Sequence, residues 1–244
     1  MKIKDSILYI KNLIYSSSNI DYDEISDEEY YKSFGLKFRN GKWKIKNKDK
    51  IEAAYKRACE NRDFEINKFW TRTAYFWGFI VLIFGLYFNY LSKEDGDEFI
   101  QLLIICTGII FSTAWYFVIR GSKKWQENWE KHIDKLEDFI SGPLYKTIFY
   151  EKSFYSVSKI NQTLSVSVII IWIVLLWHFL DFNDFLPWND GSSKTINLKY
   201  ILSLTITLIF TLSIAFGYSR KSYRNTKNVF LKRKPPLEGN TPIQ

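Results

Sequence analysis

Four stretches of the chain, residues 73–91, 99–119, 164–180 and 200–218, carry almost no charge, and the segments around them carry nearly all of it. Each is 17 to 21 residues long. At about 1.5 Å of rise per residue, a helix of that length covers roughly 25 to 32 Å, the thickness of a bilayer's hydrocarbon core. Buried helices of a soluble all-α protein rarely run so far without a charge, so the pattern predicts four transmembrane helices. Gln101 and His178 are strongly polar positions within them. The expected fold is a mainly α membrane protein with four transmembrane helices, cytoplasmic helical segments and a small N-terminal β-hairpin.

The charged segments have patterns of their own. Ile3, Ile7, Ile10 and Ile14 recur at helical spacing, which predicts a short amphipathic helix. Ser26 and Glu29 have capping-box spacing, and Gly35 can close the helix that follows. Asp21, Asp23 and Asp27 lack the glycine and the terminal glutamate of a calcium loop. Asn40 and Gly41 are the preferred pair for a type I′ turn, so 36–45 reads as a hairpin within an N-terminal region 1–49. That register sets Arg39 opposite Lys42 and Lys37 opposite Lys44 on one face, and Phe38 opposite Trp43 and Leu36 opposite Ile45 on the other. Like charges facing each other across a hairpin are destabilising. Lys37, Arg39, Lys42 and Lys44 are therefore candidates for contact with something anionic: lipid headgroups, the acidic stretch 21–29, or nucleic acid. A simply solvated face is the plain alternative.

From Lys50 the spacing predicts one helix over 50–72 that runs into the first span (hairpin 73–119) without a break and couples the two rigidly, with Trp70 and Arg72 at the membrane interface. In the region 120–163 a second amphipathic helix is expected to begin at Gly121. Trp125, Trp129, Ile133, Leu136 and Ile140 recur along it every three or four residues, and Gly142 and Pro143 end it. Trp125 and Trp129 so close to a membrane exit suggest a helix at headgroup level or packed on the long first helix, with Ile133 and Leu136 on the same oligomer- or membrane-facing stripe. His132 has no ligand partner at metal-site spacing and reads as a surface or packing residue. The second transmembrane hairpin covers 164–218, and a basic tail follows at 219–244.

Charge adds the orientation. The twenty residues before the first span hold 5 Lys and Arg, the segment 120–163 holds 8, and the tail holds 7, whereas the two remaining loops hold only Lys93, Lys194 and Lys199. That asymmetry predicts both termini and the central segment on the cytoplasmic side, and it makes the net charge of +8 a topology signal before a nucleic-acid one. The mean hydropathy of −0.17 averages two unlike populations and describes neither. Lys11 interrupts the N-terminal apolar run, so no cleavable signal is expected, and Lys2 stands where a myristoylation site needs glycine. Cys59 and Cys106 fall in different compartments, so neither a disulfide nor a zinc site is expected.

Inside the spans, Ala74 with Gly78, Gly108 with Ser112, and Ser203 with Thr207, Thr211 and Ala215 place small residues four apart, where helices can approach closely. A hydroxyl-lined path is the sharper reading. No membrane-embedded acid or base accompanies the stripe, so helix packing is the preferred one. The sequence carries no phosphate loop, nucleophile elbow or metal-ligand cluster, and the expectation is a protein with no enzymatic activity and no cofactor.

The run GSKKWQENWEKHIDKLED followed by GPLYK resembles the RipA family of octameric bacterial membrane proteins. Phe64, Glu65 and Ile66 with Trp70, Arg72, Ala74, Tyr75, Phe76 and Trp77 look like that family's entry into its first span, and 155–161 like its approach to a later one. The likeness covers roughly 64–165 and implies a bacterial inner-membrane protein that assembles with itself as an octamer, with no catalytic residues to carry over. A scaffold or sensor is the first functional expectation. The alternative is a ring-shaped channel or effector gated by its cytoplasmic domain. Anionic lipid is a candidate partner, and the region before Lys48 has no counterpart in the resemblance.

Overall fold

A computed structural model describes residues 22–93, 96–148, 155–183, 198–216 and 230–233. In chain order the elements are β1 (Tyr22–Ile25), α1 (Asp27–Ser33), β2 (Leu36–Arg39), β3 (Lys42–Ile45), α2 (Lys48–Leu91), α3 (Glu98–Leu136), a 3-10 turn (Glu137–Phe139), α4 (Val157–Phe182), α5 (Leu198–Phe216) and β4 (Phe230–Arg233). The amphipathic segment expected at 3–14, and the basic tail apart from 230–233, lie outside the described residues. The described residues form two compact units, one from those within 1–57, 133–146 and 217–244, the other from those within 58–132 and 147–216.

The smaller unit is held by short-range signals that the sequence spells out. Ser26 Oγ accepts from the Glu29 amide at 3.2 Å and caps α1, and Gly35 follows the helix at φ +87°. A side chain at Gly35 would press on the Asn47 carbonyl at 3.0 Å, and the Gly35 carbonyl accepts from Lys46 and Asn47. Asn47 in turn caps α2 through its side-chain oxygen and the Lys50 amide, 3.0 Å apart. Asn40 and Gly41, both at positive φ, turn β2 into β3 in the expected register, Leu36 to Ile45 and Arg39 to Lys42. A second antiparallel pair joins β1 to β4 across some two hundred residues, with Ile25 opposite Phe230.

Tyr30, Leu36, Ile51 and Leu136 form the centre of this unit, with Tyr31, Phe34, Trp43, Phe139 and Phe230 packed around them. Lys135 enters the same cluster as a caged cation. Its ammonium lies 5.5 to 5.7 Å from the rings of Tyr30, Tyr31 and Phe230 and pairs with Asp27. Burial, with Tyr31 and Asp27 adding their negative charge, pushes the Tyr30 phenol's pKa upward, so it stays protonated.

Four described helices are long and apolar enough to cross a membrane, and they contain the four expected stretches, the last as far as Phe216. Half of the most apolar window of α3 is buried, against 17% for α2, 17% for α4 and 11% for α5. α3 is thus the central post, and the other three leave broad apolar faces outward. Trp172 of α4 fills the middle of one cluster with Tyr87, Leu102, Ile105 and Phe179, while Trp115 and Ile119 centre a second with Phe69 and Ile80.

One expectation is corrected. The amphipathic segment does not start afresh at Gly121, because α3 runs unbroken from Glu98 through Gly121 to Leu136. A single helical glycine costs only about 1 kcal/mol relative to alanine. Buried Ile119 and Ser122 on either side hold the helix through it.

Candidate functional site

The spans' charged ends are tied together by a layer of polar side chains. Arg72 of α2 donates to Glu65 Oε2 at 3.2 Å and to Ser122 Oγ of α3 at 2.8 Å. Glu65 and Arg72 lie two helical turns apart on α2, which puts both on the face that meets Ser122. One turn inward in burial, Asn161 Nδ2 of α4 donates to Thr73 Oγ1 of α2 at 3.0 Å, and both residues are buried. Three helices that a bilayer would hold only by packing are thus tied together at their charged ends. A hydrogen bond between buried side chains in such a setting contributes about 0.5 to 1.5 kcal/mol.

Beside this layer lies an open groove of about 330 Å³, with Phe69 and Trp70 of α2 on one wall, Lys123 and Gln126 of α3 on another, and Ser156 and Ser158 at the start of α4. Trp70 is half exposed and meets Phe69 edge to face at 5.4 Å. Lys123 lies 3.8 Å from Glu130, which also accepts from Gln126 at 2.7 Å.

The sequence candidates divide into three groups. Trp125 and Trp129 are partly buried on α3, and Trp129 stacks obliquely on His132 with centroids 5.7 Å apart, whereas Ile133 and Leu136 are wholly buried within the chain itself. Burial lowers the His132 pKa from 6.5 to about 4. Its neutral form is the one the fold favours, so its contribution is complete above the unfolded value and is lost as pH falls from 6.5 toward 4. Between about pH 7 and about pH 5 this removes roughly 2 kcal/mol. The wild-type melting temperature should drop across that range, and the drop should shrink in His132→Gln. Equal slopes for the two proteins would show that His132 is not the responsible group.

Among the packing candidates, Gly108 has an explanation that its spacing alone did not supply. A Cβ there would fall 2.3 Å from the indole of Trp172, so only glycine lets that ring lie against α3. Ser112 is buried and donates to the Gly108 carbonyl at 2.7 Å. Ser203 and Thr207 donate to the carbonyls four residues back on their own helix, at 2.9 and 2.8 Å, which commits those hydroxyl donors to α5. The Thr211 hydroxyl is buried without a partner among the described residues. Gly78 meets nothing within 4 Å, and its helix face is open.

The basic candidates Lys37, Arg39, Lys42 and Lys44 are all exposed, and among the described residues none forms an ion pair. The acids nearby are engaged elsewhere: Asp27 with Lys135, Glu28 with Lys32, Glu29 with Lys232.

Sequence reasoning missed Glu137, the most deeply buried charge among the described residues. It is fully buried and accepts the Tyr145 amide at 2.7 Å and the Lys146 amide at 3.1 Å. Its backbone carbonyl accepts from Ile140, Ser141 and Gly142, each at 2.9 Å. Burial lowers the Lys146 pKa, but its hydrogen bond with Asp138 and the charges of Asp138 and Glu137 outweigh that and raise it. One residue thereby folds the segment that Gly142 and Pro143 open.

Comparison with curated proteins gives no match, and comparison with solved structures gives none. The sequence model described as the octameric membrane protein family (8xMP) matches residues 52–180, which include nearly all of α2, the whole of α3, the Glu137 loop and nearly all of α4. With four bilayer-length helices and a polar layer at their charged ends, the chain belongs to that family of membrane proteins.

Proposed function

We propose that the chain is a non-enzymatic, homo-octameric scaffold or sensor of the bacterial inner membrane, of the RipA type, with both termini and the segment between the second and third spans in the cytoplasm. Membership of the octameric family over 52–180 carries this reading. The outward apolar faces of α2, α4 and α5 support it, because they offer area to lipid and to sister subunits at once. Open Gly78 supports close helix approach on the α2 face. The back-bonded hydroxyls of α5 favour packing over a conducting path. The concentration of Lys and Arg on one side supports the orientation.

Light scattering of the full chain in mild detergent, corrected for bound detergent, should give about eight times 29.1 kDa. A monomeric mass would overturn the assembly. Replacing Trp125 and Trp129 together with Ala should shift the mass to smaller species while the helical content stays. An unchanged octamer would assign the pair to lipid or to packing within one chain.

A further inference from the structure

The groove beside Trp70 has the composition of a lipid-headgroup seat, and nothing in the polar layer next to it uses it. Trp70 lies three residues before the first span, Lys123 four residues after the second, and Ser158 six residues before the third. All three therefore stand at the same membrane boundary, on the side where the basic residues gather, which is where lipid phosphates lie. The wall formed by Ile66, Phe69 and Trp70 is apolar and aromatic, as suits glycerol and the first methylenes of an acyl chain.

The opposite wall offers donors. Among the described residues Lys123 pairs with one acid, Glu130, at a loose 3.8 Å, and an ammonium has further hydrogens to donate. Ser156 Oγ caps α4 by accepting from the Lys159 amide, and it sits 3.3 Å from the Ser158 hydroxyl. The amides of Val157 and Ser158, first in a 26-residue helix, have no acceptor within that helix, and both residues line the same groove. A cation, a hydroxyl and the first two amides of a helix, beside an aromatic wall, match a phosphate carried on an apolar tail.

We propose that this groove binds the phosphate of an anionic phospholipid, with Lys123 and the start of α4 as the donors and Trp70 against the lipid's glycerol region. The chemistry is shared with free phosphate, but the aromatic wall and the position at the bilayer boundary fit a lipid. The proposal stands whatever the subunit number.

The test uses the full chain in detergent, delipidated and then given phosphatidylglycerol or phosphatidylcholine, with retained lipid counted by native mass spectrometry. Wild type should retain phosphatidylglycerol preferentially. Lys123→Gln should weaken that retention about fivefold, close to 1 kcal/mol, and leave phosphatidylcholine unchanged. Phosphatidylglycerol with brominated acyl chains should quench tryptophan emission in wild type and less so in Trp70→Phe. Equal retention of the two lipids by wild type, or unchanged preference in Lys123→Gln, would overturn the site. Competition by millimolar inorganic phosphate as effective as by the lipid would overturn the lipid assignment. Should Lys123→Gln melt below wild type, Ser158→Ala serves as the second variant, and an undiminished preference there counts against the proposal as well.

Discussion

Glu137→Ala should unfold the smaller unit at temperatures where the membrane helices still hold. The carboxylate is fully buried, and two backbone amides and the Lys146 ammonium converge on it. Removing it leaves Tyr145 and Lys146 with amide hydrogens that have lost their acceptor in a part-buried site, and it removes the counter-charge of a nearby lysine. Breaking a buried charged network from one side typically costs about 3 to 5 kcal/mol, a large part of any small unit's stability. Glu137→Gln keeps one acceptor oxygen but turns an NH₂ group toward the other amide, so a loss of roughly 1 to 3 kcal/mol is expected. Hydrogen exchange followed by mass spectrometry reads this directly. Protection should fall in β2, β3 and the first turns of α2 for the Ala variant, and less for Gln, while the middle of α3 stays protected. Equal protection in wild type and Glu137→Ala would mean that the loop finds another set of acceptors.

That residue also marks where the sequence stops being legible. The hairpin could be read because Asn40 and Gly41 alone can supply two consecutive positive φ values there, and one turn type then sets the whole register. The cap at Ser26 and the four spans were legible for the same reason, since each rests on a local rule about hydrogen bonding or solvation. Glu137 looks like any acid on the polar face of an amphipathic helix, and only the turn back at Gly142 brings its two amide donors. The pairing of β1 with β4 joins segments too short and too far apart for a pattern to announce. Gly121 misled because glycine suggests an end to a helix, although the packing on both sides outweighs its modest cost. The polar layer was half visible: Arg72 was marked by its position at the membrane, but Glu65, Ser122 and the Asn161–Thr73 pair depend on which helices are neighbours. Gly108 was marked as a close-approach site, and what approaches it was not.

The partner at Gly108 makes the second large expectation, a non-additive pair. Trp172 is wholly buried, stacked on Phe84 with centroids 4.3 Å apart and edge-on to Tyr87 at 5.9 Å. Its ring carbons lie where a Cβ on residue 108 would have to be, at 2.3 and 2.4 Å. Gly108→Ala must therefore push a wholly buried indole, and overpacking of that kind costs about 1 to 3 kcal/mol. Trp172→Ala leaves a void lined by Phe84, Tyr87 and Ile105. In a bilayer the unfolded reference is lipid rather than water, so the lost dispersion contacts dominate, and the expected cost is roughly 2 to 4 kcal/mol. Trp172→Phe should be far milder, because the indole N–H has no partner to lose among the described residues. Combining Gly108→Ala with Trp172→Ala removes the clash, and the alanine then gains the ordinary advantage over glycine in a helix, about 1 kcal/mol. The double variant should accordingly be no less stable than Trp172→Ala alone, a coupling of about 1 to 3 kcal/mol. Unfolding of the four proteins in mixed micelles with increasing SDS, followed by circular dichroism, measures that cycle. Simple additivity would show that the two side chains do not meet as the packing of α3 on α4 requires.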